Sequence, residues 1–136
     1  MKSSIVSIYI FAPLLGWLAA HIVKFVIALT KGKHDLRIFF RSGSMPSSHT
    51  AVIIALATVI ACREGLASVS FGIIATLGAI VIFDSLNVRR AVGEQGEVLA
   101  TLTKKSFFSA KGHTPTEVIV GACVGLVVGI LLLQIL

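Results

Sequence analysis

Two histidines, a carboxylate and a group of hydroxyl and basic side chains are spaced along the chain in a way suited to phosphate chemistry. His113-Thr114-Pro115-Thr116-Glu117 sets an imidazole and a carboxylate four residues apart. If a helix begins early enough, the two share a face. The carboxylate can then hold the imidazole in one tautomer and raise its basicity, which a nucleophilic or general-base histidine requires. The alternative for Glu117 is a capping box, with Thr114 as N-cap and Pro115 in the first turn. That alternative leaves His113 unexplained.

Gly43-Ser44-Met45-Pro46-Ser47-Ser48-His49-Thr50 is a hydroxyl-rich turn running into an apolar helix. Such a turn offers backbone N–H groups, the Ser47 and Ser48 hydroxyls and a positive helix end, a set that binds phosphate. His49 lies at its inner edge, where a general acid can reach a leaving oxygen. The competing reading is a serine N-cap with His49 as a polar packing residue. Arg89 and Arg90 follow Asp84 closely. Each guanidinium is a planar fork matched to two phosphate oxygens, or else a positive anchor at a membrane edge. Asp84 can pair with one of them; with Glu94 and Glu97 it is too loosely spaced for a magnesium site.

The elements that must hold these groups are membrane spans. Of 136 residues, 56% are hydrophobic and 13% charged, with mean hydropathy +0.98. A soluble domain carries about 25% charged residues, so this chain lacks the polar side chains to cover a water-facing surface. A bilayer core takes about 20 apolar residues per helix. Four stretches meet or approach that length, at about 5–29, 46–62, 66–86 and 116–136. The expected fold is therefore an all-α integral membrane four-helix bundle forming a single domain. Its connection at 91–112 is either a plain loop or carries a short interfacial helix, with Phe107 and Phe108 at the head-group boundary.

Charge orients the spans. Lys24, Lys31, Lys33, Arg37, Arg41, Arg89, Arg90, Lys104, Lys105 and Lys111 fall on one side, and only Lys2 and Arg63 on the other. The positive-inside bias places the two long loops in the cytoplasm and both chain ends outside. On that topology Lys24, His49, Asp84, His113 and Glu117 converge at one depth, at the cytoplasmic ends of four helices. Ionisable groups there are expensive and are functional candidates. The net charge of +6 suits anionic head groups or phosphates, and no nucleic-acid module is visible. Gly121, Gly125 and Gly129 repeat every four residues, a small-residue pattern for close helix packing. Cys62 and Cys123 read as buried small hydrophobes.

At this point the residues resemble a known family. The phosphatidic acid phosphatase type 2 superfamily, which includes vanadium-dependent haloperoxidases, carries KxxxxxxRP, PSGH and SRxxxxxHxxxD motifs. Lys24 to Gly32 is similar to the first, with Lys31 for Arg and Gly32 for Pro. Pro46-Ser47-Ser48-His49 is similar to the second, with Ser48 for Gly, and His113 to Glu117 matches the HxxxD end of the third, with Glu for Asp. The nearest resemblance is to the divergent bacterial and plastid branch, whose short members show MPSSH, D…VRR and GHTPxEV in order.

The resemblance implies a reduced form of that superfamily's helical core, and a lipid-phosphate phosphatase without a metal or other cofactor. It implies His113 as a nucleophile forming a phosphohistidine, Glu117 orienting it and His49 protonating the leaving alkoxide. Lys24, Lys31, Ser47, Ser48 and one of Arg89 or Arg90 would hold the phosphate oxygens, with Asp84 in support. The expected substrate is a membrane lipid such as phosphatidylglycerophosphate or phosphatidic acid, or a polyprenyl pyrophosphate. The expected location is the bacterial cytoplasmic membrane. Four spans against the usual six admit a homo-oligomer that completes the site. Two other functions fit the same residues: a lipid phosphotransferase, and a non-catalytic transporter or phosphate-lipid binding protein.

Overall fold

The computed structural model describes residues 2–32, 45–105 and 112–136, with side chains from Ile8 onward. Lys33, Arg37, Arg41, Gly43, Ser44, Phe107, Phe108 and Lys111 lie outside these residues. The described residues form α1 (Lys2–Thr30), α2 (Ser48–Glu64), α3 (Val69–Phe83), a π-helical turn (Asp84–Val88), α4 (Arg89–Thr103) and α5 (Pro115–Ile135). No strand occurs among them. Three helical stretches are long and apolar enough to cross a membrane: Ile8–Thr30, Val69–Thr103 and Pro115–Ile135. The fold is all-helical, as the hydropathy pattern requires.

Helix ends follow local chemistry. Ser47 caps α2, its hydroxyl accepting from the Thr50 amide. Gly65 ends α2 at φ +89°, a conformation that L side chains rarely adopt. Its amide donates to the Ala61 carbonyl at 3.1 Å. Ser68 then caps α3 by accepting from Phe71 N at 3.1 Å, while its own hydroxyl donates to the Gly65 carbonyl at 2.8 Å. Hence α2 and α3 form a tightly fastened hairpin.

Packing follows rows of residues four apart, the ridges that let helices interlock. On α1 the row Ile8, Ala12, Gly16, Ala20, Lys24, Ala28 is buried throughout. On α2 the matching row is Ser47, Ala51, Ala55, Val59, and on α5 it is Gly121, Gly125, Gly129. A Cβ on Gly16 would lie 2.8 Å from the Ala51 carbonyl oxygen, and one on Gly125 would lie 2.5 Å from the same atom. The small residues therefore bring α1 and α5 against the α2 backbone from two sides. The small-residue row read from the sequence serves this purpose, together with Ala51 and Ala55. The 17-residue helix α2 thus becomes the centre of the bundle, packed on α1, α3 and α5. Ile8, Ala12, Val59 and Leu132 form one apolar cluster, and Ile53, Ile60 and Ile74 a second between α2 and α3.

Two features differ from the sequence expectation. The helix that starts at Val69 does not stop near 86; it continues through the π turn to Thr103. No proline interrupts this stretch, and the wider turn absorbs one register change without breaking the helix. Cys62 and Cys123 are exposed on the bundle's outer face rather than buried.

Candidate functional site

The site is built around the start of α5. Thr114 is the N-cap: its hydroxyl accepts from Glu117 N at 3.3 Å, and Glu117 Oε2 accepts from Thr114 N at 3.0 Å. The same Oε2 lies 3.0 Å from His113 Nδ1. The two readings of Glu117 therefore hold at once. The helix begins at Pro115, so His113 precedes it, and the pair meets because the capping carboxylate turns back rather than by sharing a helix face. An ionised carboxylate only accepts, which places the hydrogen on Nδ1 and the lone pair on Nε2. The side chains are 5% and 18% exposed, so the pair is shielded from water.

Backbone contacts fix His113 to the π turn. His113 N donates to the Ser85 carbonyl at 3.1 Å. Gly112, immediately before it, has no room for a side chain: a Cβ would lie 2.5 Å from both Arg90 N and Ser85 O.

The serine turn sits on the first turn of α5. Ser47 N donates to the Glu117 carbonyl at 3.0 Å. Its hydroxyl, wholly buried, accepts from Thr50 N at 3.4 Å and Thr50 Oγ1 at 3.0 Å. A Cβ on Gly121 would collide with the Ser47 carbonyl oxygen. Ser48 is half-buried and His49 exposed beside it.

His49 lies within electrostatic range of Arg89, His113, Lys24 and Asp84, and Lys24 within range of Glu117. Lys24 is 4% exposed, carried to this end by the packed row of α1. Arg89 Nε donates to Asp84 Oδ2 at 2.6 Å, and Arg90 Nε to Glu94 Oε1 at 3.2 Å. A cleft of about 220 Å³ lies beside His113, lined by Arg90, Gly93, Glu94, Glu97, Gly112, His113 and Thr114. The structure thus gathers His49, His113, Glu117, Lys24, Asp84, Arg89 and Arg90 at one end of the bundle. Lys31 is exposed in the turn after α1 and is not drawn into this group. No three His, Cys, Asp or Glu side chains are grouped to hold a metal among the described residues.

Sequence reasoning passed over Ser85, Gly112 and Thr50. Thr50 completes the cap at a spacing of three from Ser47, a signal that was available. Ser85 beside Asp84 carries no sequence signal, because its position depends on the π turn.

Apolar helices long enough to cross a bilayer, packed around a buried histidine–carboxylate pair, define an integral membrane protein. The chain matches the divergent PAP2 family over residues 6–128 and belongs to that family. It is 32% identical to the uncharacterized membrane protein YuiD of Bacillus subtilis (strain 168), over 88% of this chain and 92% of that protein. No solved structure matches the chain.

Proposed function

We propose that the protein hydrolyses the phosphate monoester or pyrophosphate of a membrane lipid through a phosphohistidine on His113. The observation that carries this reading is the shared Glu117 oxygen, which leaves His113 Nε2 with its lone pair in a buried position, beside a cleft that Arg90 also lines. Nε2 attacks phosphorus as the bond to the lipid oxygen breaks, and His49 gives its proton to that leaving oxygen. Glu117 balances the imidazolium that forms. Water, losing its proton to His49, then cleaves the phosphorus–nitrogen bond and releases phosphate. Lys24, Ser48 and one of Arg89 or Arg90 meet the charge that grows on the phosphoryl oxygens. Ser47, its hydroxyl engaged by Thr50, holds the turn in place, and Lys31 attracts the anion from outside. Asp84 positions Arg89.

The cation distribution supports placing this end of the bundle on the cytoplasmic side of a bacterial inner membrane, with the N-terminus outside. Substrates made on that leaflet, such as phosphatidylglycerophosphate or phosphatidic acid, fit this placement. The test is phosphate release from detergent-solubilised lipid phosphates in EDTA, comparing wild type with His113→Ala. Release that survives EDTA and is lost in the variant is expected. Equal release from both proteins, or none from any lipid, overturns the reading; label recovered on a second lipid identifies transfer in place of hydrolysis.

A further inference from the structure

Ser85 stands out among the described hydroxyls. Thr58, Thr76, Thr101 and Thr103 each donate to the carbonyl four residues back, at 2.7 to 2.9 Å. That is the ordinary way a helix satisfies a hydroxyl with its own backbone. Ser85 is 3% exposed and its Oγ has no hydrogen-bond partner among the described residues. A buried hydroxyl left unmade is costly, and such a group calls for an explanation.

Its surroundings supply one. Ser85 lies in the π turn, a helical irregularity frequent at functional sites. Its carbonyl receives the His113 amide, and Gly112 packs on the same carbonyl with no space for a side chain. Its neighbour in sequence, Asp84, and Arg89 at the end of the turn both act on His49. The unsatisfied donor therefore sits in a segment whose backbone bonds that of His113, flanked by the groups that act on His49. Nearby anionic acceptors in the chain are already engaged: Asp84 by Arg89, and Glu117 by Thr114 and His113.

We propose that Ser85 is a phosphate ligand, its hydroxyl donating to an oxygen of the tetrahedral oxyanion that binds between His49 and His113. This rests on the phosphate-handling reading above and adds to it a residue outside the serine turn and the basic side chains. No covalent step is involved: the hydroxyl donates one hydrogen bond and keeps its proton.

The two explanations of an unpaired hydroxyl predict opposite results. A hydroxyl kept for a ligand weakens the ligand-free protein and strengthens the complex, whereas a merely structural one affects neither anion affinity nor its dependence on the donor. The experiment is calorimetric titration of inorganic phosphate into the full chain in detergent micelles, for wild type, Ser85→Ala and Ser85→Cys. Thermal midpoints are measured without phosphate. Ser85→Ala is expected to bind phosphate about 10- to 100-fold more weakly, the loss of one hydrogen bond to a charged group. Its phosphate-free midpoint should equal or exceed that of wild type, and Ser85→Cys, with a weaker donor, should fall between the two in affinity. If Ser85→Ala binds phosphate as wild type does, the role of Ser85 fails while the phosphate site stands. If the midpoint falls in both variants together with affinity, the hydroxyl is structural and the proposal is overturned. If wild type binds no phosphate, the proposal falls together with the reading beneath it.

Discussion

Replacing Gly121 with alanine tests how the bundle positions its site. The new Cβ would meet the Ser47 carbonyl oxygen closer than real atoms approach, with the Ser47 carbonyl carbon and Cβ each at 3.2 Å. The obstacle is backbone, so no rotamer change relieves it, and α5 must move away from α2 by roughly 1 Å to restore ordinary contact. That displacement stretches the Ser47 N to Glu117 O bond from 3.0 Å beyond hydrogen-bonding range. Overpacking costs about 1–3 kcal/mol, and the broken buried bond about 1 kcal/mol more. Gly121→Ala should therefore destabilise by about 2–4 kcal/mol. Gly72→Ala is the control: nothing lies within 4 Å of its Cβ, and alanine in a helix gains about 0.5–1 kcal/mol over glycine. The assay is reversible unfolding by SDS titration in mixed micelles, followed through the single tryptophan, Trp17. Gly121→Ala unfolding at the wild-type midpoint, or Gly72→Ala losing as much as Gly121→Ala, would refute the packing argument.

Glu117→Gln keeps a capping acceptor but removes the charge opposite His113. A unit-charge interaction at this range is worth about 4 kcal/mol at an intermediate dielectric, so phosphate release should fall about 10²- to 10³-fold with little change in unfolding midpoint; equal activity in wild type and variant removes Glu117 from the mechanism. Asp84→Asn should shift stability by less than about 1 kcal/mol, because the Arg89 pair is solvent-accessible at 45% and 38%; a larger loss in the same SDS titration means the pair supports the π turn. At the opposite end of the bundle, hydrogen bonds from Ser70 and then Tyr9 hold the Glu64 carboxyl below its ordinary range. A carboxyl lowered on folding stabilises above its unfolded value, and that contribution is lost as pH falls through the folded one. Glu64→Gln should thus flatten the acid side of a stability-against-pH curve, and an unchanged curve would discount this contact.

Much of this arrangement is legible in the sequence because membranes make composition decisive. Four apolar stretches, the glycine row of α5 and the caps at Ser47 and Thr114 follow from length, spacing and side-chain chemistry. The gathering of His49, His113, Glu117 and Lys24 at one end follows from which ends carry ionisable groups. What escapes is geometry that arises between elements. The stretch from Ala91 to Thr103 reads as a loop or a short separate helix, and its continuity with α3 comes from the π turn. Ser47 looks like an anion ligand by type, yet contact with Gly121 and Thr50 buries it completely. Cysteines tend to be buried in water-soluble folds; in a bundle surrounded by lipid an outward-facing thiol has no such preference, which is why Cys62 and Cys123 are exposed.

The central helix α2 is short for a membrane. Its 17 residues rise about 25 Å, against a hydrocarbon layer of about 30 Å. Where a helix is shorter than the layer it crosses, the bilayer thins around it or its polar ends sink, each at modest cost. On the proposed four-span topology, that adjustment would fall where α2 begins, beside His49. It would bring a lipid head group toward His49 and His113 while the acyl chains stay in the hydrocarbon.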